Sequence, residues 1–240
     1  MPENHTVVSP DEWLQARLRL LDREKKFTRL RDELSRARRD LPWVRVEKAY
    51  VFDGPNGAET LADLFDGRSQ LVVYHFMFAP EWSEGCPSCS WWADNFERNV
   101  GHLIHRDVTL VAISRAPLEK LEVFKQRKGW TFKWLSSGAS NFNYDFHASF
   151  LPGESPTGEI FHNYQWRKSS MTDHAGISVF YRDADGAVFH TYSCYSRGVD
   201  MMNAGYHYLD LVPKGRDEDG LPYNQAWVRE RDKYGSASGR

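Results

Sequence analysis

The chain has 240 residues and a mass of 27.9 kDa, enough for one large domain with appendages on the usual scale of roughly 100–200 residues per domain. An apolar share of 41%, with 27% charged and 14% aromatic residues, describes a globular protein and excludes a disordered or fibrous one. Thirty-one basic residues against 33 acidic leave a net charge of −2, which argues against nucleic acid or a membrane surface as partner, and three cysteines are too few for a disulfide scaffold.

The first segment reads as a long amphipathic helix. Ser9-Pro10-Asp11-Glu12 supplies an N-cap serine, a proline at the first helical position and a glutamate at the third, which together form a capping box. Trp13, Ala16, Leu20, Phe27, Leu30, Leu34, Ala37 and Leu41 then recur at alternating three- and four-residue steps, missing only at Arg23. Leu41-Pro42 ends the pattern, because the residue before a proline resists the helical region. Residues 1–45 are expected to form an arm that lies across or links to the protein's own body. Pairing with a second copy as a homodimer is the alternative. Nothing at Met1-Pro2-Glu3-Asn4-His5-Thr6 resembles a signal peptide, so the expected location is cytoplasmic.

Residues 46–234 alternate strand and helix. Leu71 to Phe78 is a continuous apolar run typical of a buried parallel strand, and Val108 to Ser114 is a second. Neither approaches the ~20 residues of a membrane helix. A helix starting at two cysteines lies between them, and another runs from Pro117 to Lys128 before Gly129. The stretch from Trp130 to Trp166 is aromatic and turn-rich. Ile177–Tyr181 and Ala187–Tyr192 flank Asp183-Ala184-Asp185-Gly186, a hairpin signal. The fold class is therefore α/β, with a mixed sheet that is parallel first and antiparallel last. Lys214 to Asp219 reads as surface loop, and residues 235–240 as a disordered tail.

The chemistry gathers at Cys86-Pro87-Ser88-Cys89. Cys86 at a helix N-cap lies at the positive end of the dipole beside unpaired N–H groups, which stabilise a thiolate. Cys89 shares a face with Trp92, Ala93, Phe96 and Val100, so it should be buried against the sheet. An exposed low-pKa thiol beside a buried one suits disulfide exchange, the first attacking and the second resolving. No cofactor is needed for that chemistry. The competing reading is a copper or zinc site on the same two cysteines, although no second ligand pair stands at similar spacing. Trp82 and Trp91 are candidates to flank the pair, and Cys194 reads as a small buried residue.

Strand, CxxC helix, strand and late hairpin follow the order of a thioredoxin-like fold, and the proline after the first cysteine resembles the glutaredoxin form of the motif. The chain is more closely similar to the thioredoxin-like family catalogued as domain of unknown function 899, whose members are labelled predicted dithiol-disulfide oxidoreductases. The resembling phrases are Leu71–Phe78, Glu84–Ser90, Asp107–Pro117, and Gly198-Val199-Asp200 through Leu211–Glu218. The resemblance implies a thiol or disulfide substrate, protein or small molecule, and a cellular reductant.

Thioredoxins also place a cis-proline before the strand facing the redox pair. By alignment, Ser178 takes that place and would direct its hydroxyl at the sulfurs. Peroxiredoxins are a second resemblance, through Pro80, Ser83 and Cys86. The serine stands correctly three residues before the cysteine, the proline stands one residue too close, and Arg115 or Arg182 would stabilise the thiolate. Copper-delivery proteins of the Sco type add a distant histidine to a cysteine pair. They leave open a metal set of Cys86 and Cys89 with His75, His162 or His190.

Overall fold

A computed structural model describes residues 5–151 and 158–235; residues 236–240 of the expected tail lie outside the described residues. The first element is helix α1 (Pro10–Arg39), whose capping box is complete: Glu12 N–H donates to Ser9 Oγ while Ser9 N–H donates to the Glu12 carboxylate. None of its residues is buried, and Trp13, Leu20, Phe27, Leu30 and Leu34 are all exposed. The body therefore does not cover the heptad stripe. Contact with the body is made near its end, where the Arg38 guanidinium lies over the Tyr192 ring.

Strand β1 (Val44–Arg45) pairs with the last strand of the sheet, and Trp43 packs on Tyr181 and Phe189. The final residues of the expected arm thus belong to the body. A hairpin of β2 (Val51–Gly54) and β3 (Gly57–Thr60) follows. No strand was expected there, although Pro55-Asn56-Gly57 is turn chemistry. Strand β4 (Gln70–His75) leads to α2 (Pro87–Glu97), α3 (Val100–Ile104) and β5 (Val108–Ser114). Helix α4 (Leu118–Lys128) ends on Gly129 in the left-handed conformation, as the sequence predicts. Strand β6 (Lys133–Ser136), helix α5 (Phe142–Asp145) and the two-stranded pair β7 (Glu159–His162) and β8 (Gln165–Lys168) occupy the turn-rich stretch. The hairpin β9 (Gly176–Arg182) and β10 (Val188–Tyr195) and the short helix α6 (Ala204–Leu209) complete the elements that matter here.

The strands of the main sheet lie in the order β1-β10-β9-β4-β5-β6-β2-β3, with β4, β5 and β6 parallel and the others antiparallel to their neighbours. This is the expected thioredoxin-like arrangement, with β4 at its centre. Alternate residues of the central strands feed two cores. Tyr74, Leu110, Ala112, Trp134 and Ile177 join Cys89, Trp92, Phe96, Leu121 and Phe124 of helices α2 and α4 on one face. Leu71, Val73, Val111, Ile113 and Phe180 join Phe52, Phe65, Phe142 and Phe146 on the other. Coverage of both faces explains why β4 and β5 read as unbroken apolar runs.

The fully buried Trp134 links the sheet to the segment after β4. Its Nε1–H donates to Ser114 Oγ at 3.0 Å, and that hydroxyl donates to Phe76 O at 2.6 Å. Trp134→Ala should lower the unfolding free energy by about 3–5 kcal/mol, measured as a lower urea midpoint with an unchanged slope.

Candidate active site

Strand β4 ends at His75, and the next residues are tied to β5, to the turn after it and to the start of α2. Phe76 N–H donates to Ile113 O, Ala116 N–H to Phe78 O, and Cys86 N–H to Met77 O at 3.0 Å. Cys86 then caps α2 with an extended backbone, and Pro87 occupies the first turn, where its missing N–H has no helical partner to lose. The half-buried Cys86 sulfur sits beside the buried Cys89, and both thiols are free. Met77 N–H donates to Cys89 Sγ at 3.4 Å.

The two thiols differ electrostatically. A hydrogen bond from the Cys89 thiol, then the N–H groups of Cys89 and Ser88 and the Ser88 hydroxyl, outweigh burial and lower the Cys86 pKa to about 7. Cys89 is pushed well above the ordinary thiol range by burial and by its neighbour's charge. The Tyr74 hydroxyl interacts with the Cys89 sulfur and opposes that rise; its own pKa is raised well above normal, chiefly by burial.

Both sulfurs line a cavity of about 710 Å³ whose walls include Trp82, Trp92, His162, Met171, His174, Ala175, Arg197, Tyr223, Gln225 and Val228. His162 is 1% exposed, and neither ring nitrogen has a hydrogen-bond partner among the described residues. Its ring lies 4.4 Å from that of His174, whose Nε2 bonds to Ser169 Oγ at 3.0 Å. Burial, then neighbouring positive groups, lowers the His162 pKa to about 3, and burial lowers that of His174 to about 4. Both imidazoles are therefore neutral at pH 7.

The expected site residues separate on this geometry. Trp82 and His162 line the cavity with the cysteines. Ser83 does not: it lines a separate depression with Phe78, Lys120 and Arg127. Trp91 also points elsewhere, packing on Tyr206 at 4.9 Å and Trp227 at 5.1 Å, where a Cβ on Gly205 would come within 2.3 Å of its ring. Ser178 faces the opposite side of the sheet. Its hydroxyl bonds to His75 Nε2 at 2.9 Å and to Ser193 Oγ at 2.8 Å, and Ser193 in turn meets His190 Nε2 at 2.7 Å. The residue immediately before β9 that lines the cavity is Ala175, and no cis peptide occurs among the described residues.

His75 and His190 belong to that opposite face, packed against Phe146, so they cannot share a cation with the cysteines. Among the described residues no three His, Cys, Asp or Glu groups come together to hold a metal ion, and the copper or zinc set does not fit this geometry. Arg115 is committed to Asp173 through two hydrogen bonds of 2.9 and 2.5 Å, and neither it nor Arg182 lines the cavity. Cys194 is buried as expected, and its thiol, held 3.6 Å from Gly198 O, is pushed up by burial.

His174, Arg197 and the C-terminal wall of the cavity had no legible signal in the sequence. That wall follows the run Lys214 to Asp219, expected to be surface loop and itself partly packed inward. Glu218 is buried, accepting hydrogen bonds from Tyr206 Oη, Gln225 N–H and Trp227 Nε1–H at 3.0, 2.9 and 2.8 Å. Arg216 stacks on the Tyr206 ring and pairs with Asp200 and Asp210. Further on, Glu230 accepts from Ser90 Oγ at 3.1 Å and meets Lys128 Nζ at 2.6 Å, both ionic side chains being 1% exposed. Arg231 pairs with Asp94, and Lys233 with Glu84.

No described helix is long and apolar enough to cross a membrane. Among solved structures, peroxidoxin BcpB from Mycobacterium tuberculosis is 16% identical with a TM-score of 0.47, covering 68% of this chain and 94% of its own. Xanthomonas campestris bacterioferritin comigratory protein is 12% identical at a TM-score of 0.45, with coverage of 69% and 96%. The mitochondrial 2-Cys peroxiredoxin of Plasmodium falciparum is 11% identical at a TM-score of 0.40, with coverage of 68% and 91%. No curated protein matches the chain. Residues 2–234 match the family described as "Bacterial protein of unknown function (DUF899)", and the chain belongs to that family.

Proposed function

We propose that the protein is a thiol-disulfide oxidoreductase in which Cys86 attacks and Cys89 resolves. The observation that carries this reading is the split between two adjacent thiols on one cavity, the half-buried one lowered to about 7 and the buried one raised. The Cys86 thiolate attacks one sulfur of a disulfide, forming a mixed disulfide and expelling a thiolate. Loss of the Cys86 charge removes the repulsion that holds the Cys89 proton on, and Cys89 then attacks Cys86 to release the second thiol. The substrate gains two electrons and the pair becomes a disulfide, which a cellular dithiol reductant restores. A cytoplasmic location goes with this reading, since reductant is abundant there. Peroxide reduction is less well supported, because Ser83 lies outside the cavity and Arg115 is held by Asp173.

We further infer that the stripe on α1 is covered by α1 of a second copy. The helix carries Asp11 and Glu12 in its first turn and Arg36, Arg38 and Arg39 in its last, so antiparallel pairing sets opposite charges together over an apolar seam.

Three outcomes test these readings. Cys86→Ser should abolish reduction of a model disulfide, whereas Cys89→Ser should accumulate a mixed disulfide visible by intact mass; full turnover by both variants would refute the assignment. Alkylation of Cys86 by iodoacetamide should fall as pH drops through about 7, because the depressed pKa leaves thiolate above that value and thiol below it, while Cys89 stays unmodified. A half-maximal rate nearer pH 9 would remove the electrostatic basis of the mechanism. In sedimentation equilibrium the native protein should show twice the chain mass, and Phe27→Glu with Leu30→Glu should show the chain mass alone; a monomeric native protein excludes the paired helix.

A further inference from the structure

The cysteines are not open to a flat docking face. The segment from Glu218 to Lys233 runs beside α2, and Tyr223, Gln225 and Val228 from it line the same cavity as the two sulfurs. Its fastening is unusual for a chain end without regular strands. The buried pair Lys128–Glu230 ties it to the end of α4, and the Ser90 hydroxyl ties the same carboxylate to the start of α2, next to Cys89. Arg231 reaches Asp94 and the Lys128 carbonyl, and Trp227 packs on Trp91. A second wall, holding His162, His174 and Ala175, is fastened separately. His174 N–H donates to Ala148 O, Asp173 is locked to Arg115, and His162 packs on Tyr195.

A protein disulfide brings two lengths of backbone with it and must press them against the attacking sulfur. Walls built from both segments leave a space of about 710 Å³, within the range of roughly 300–1,000 Å³ that holds a small ligand. Its wall includes the His162 imidazole, whose two nitrogens have no partner among the described residues. A buried polar group in that state is costly without a ligand or water to bond it.

Resting on the oxidoreductase reading, we propose that the site takes low-molecular-weight disulfides with polar substituents, the 218–233 segment acting as the size filter and His162 as the hydrogen-bonding anchor. The reaction balances as one small disulfide plus the Cys86–Cys89 dithiol giving two small thiols and the protein disulfide.

The test uses the full reduced chain, with bis(2-hydroxyethyl) disulfide as the small probe and insulin as the protein one. Formation of the Cys86–Cys89 disulfide is followed by acid quench, alkylation and mass. Each rate is divided by that of the same disulfide with dithiothreitol, which removes intrinsic reactivity. The native protein should favour the small probe by at least about tenfold on this scale. Glu230→Lys, which sets like charges at the Lys128 fastening, should raise the insulin rate and leave the small-probe rate nearly unchanged. Lys233→Glu, at the surface, loosens the same segment if Glu230→Lys does not fold. His162→Leu should slow the small probe about tenfold, with the pH profile of Cys86 alkylation unmoved. Equal normalised rates for the two probes in the native protein overturn the size filter, and an unchanged small-probe rate in His162→Leu overturns the anchor. Failure of both disulfides to oxidise the pair would instead refute the oxidoreductase reading on which the proposal rests.

Discussion

How the chain leaves β4 governs everything near the sulfurs. A buried parallel strand must end with its backbone groups satisfied, and here the exit leads to α2 while Phe76, Met77 and Phe78 remain bonded to β5, the helix cap and the turn after β5. The bond from Cys86 N–H to Met77 O and that from Met77 N–H to Cys89 Sγ lash the helix start to the strand end. The helix dipole, the two sulfurs and the cavity mouth are thereby held as a unit. Trp134 and Ser114 support the same exit from β6 and β5, so a side chain of the sheet core braces the strand end that carries the Cys86 thiol without touching that thiol.

Features confined to one stretch of chain were readable in the sequence. The capping box of α1, the apolar runs of β4 and β5, the glycine stop of α4 and the Asp-Gly turn of the last hairpin each carry their signal within a few residues. The cysteine pair belongs with them, because its spacing and its proline define a helix start. Facing direction was less legible. Ser178 and Ile177 are adjacent in a strand and point to opposite sides, so an alignment off by one position reverses the assignment. Trp91 and Trp92 are likewise neighbours on a helix and both touch Tyr206, yet Trp91 turns on to Trp227 while Trp92 lines the cavity.

What sequence patterns miss altogether is burial created by distant partners. Lys128 and Glu230 are charged residues that any local pattern assigns to solvent, and they are among the least exposed charged residues described, paired with each other. Glu218 is similar: a single carboxylate gathers an indole, a phenol and a backbone N–H, giving shape to a segment without regular structure. Such contacts are stabilising only when complete, since a buried charge stripped of its partner is costly. That requirement makes the segment cooperative with the body, and it explains how a composition typical of loops can form a wall of the cavity.

The row of hydroxyls and imidazoles from His75 through Ser178 and Ser193 to His190 bears on assembly of the sheet. It crosses three strands on a diagonal: Ser178 stands opposite Ser193, while His75 lies opposite Gly176 and His190 opposite Phe180. Sliding β9 by a single residue would turn Ile177 toward this row and drive Ser178 among the aromatic rings under α2, stranding polar atoms on both sides at about 1–3 kcal/mol each. Apolar side chains of similar bulk tolerate such misalignment, whereas hydrogen-bonding groups do so only at one offset. The row thus works as a key cut for one alignment of the β4–β9–β10 trio, discriminating between pairings that greasy contacts alone would rank nearly equal.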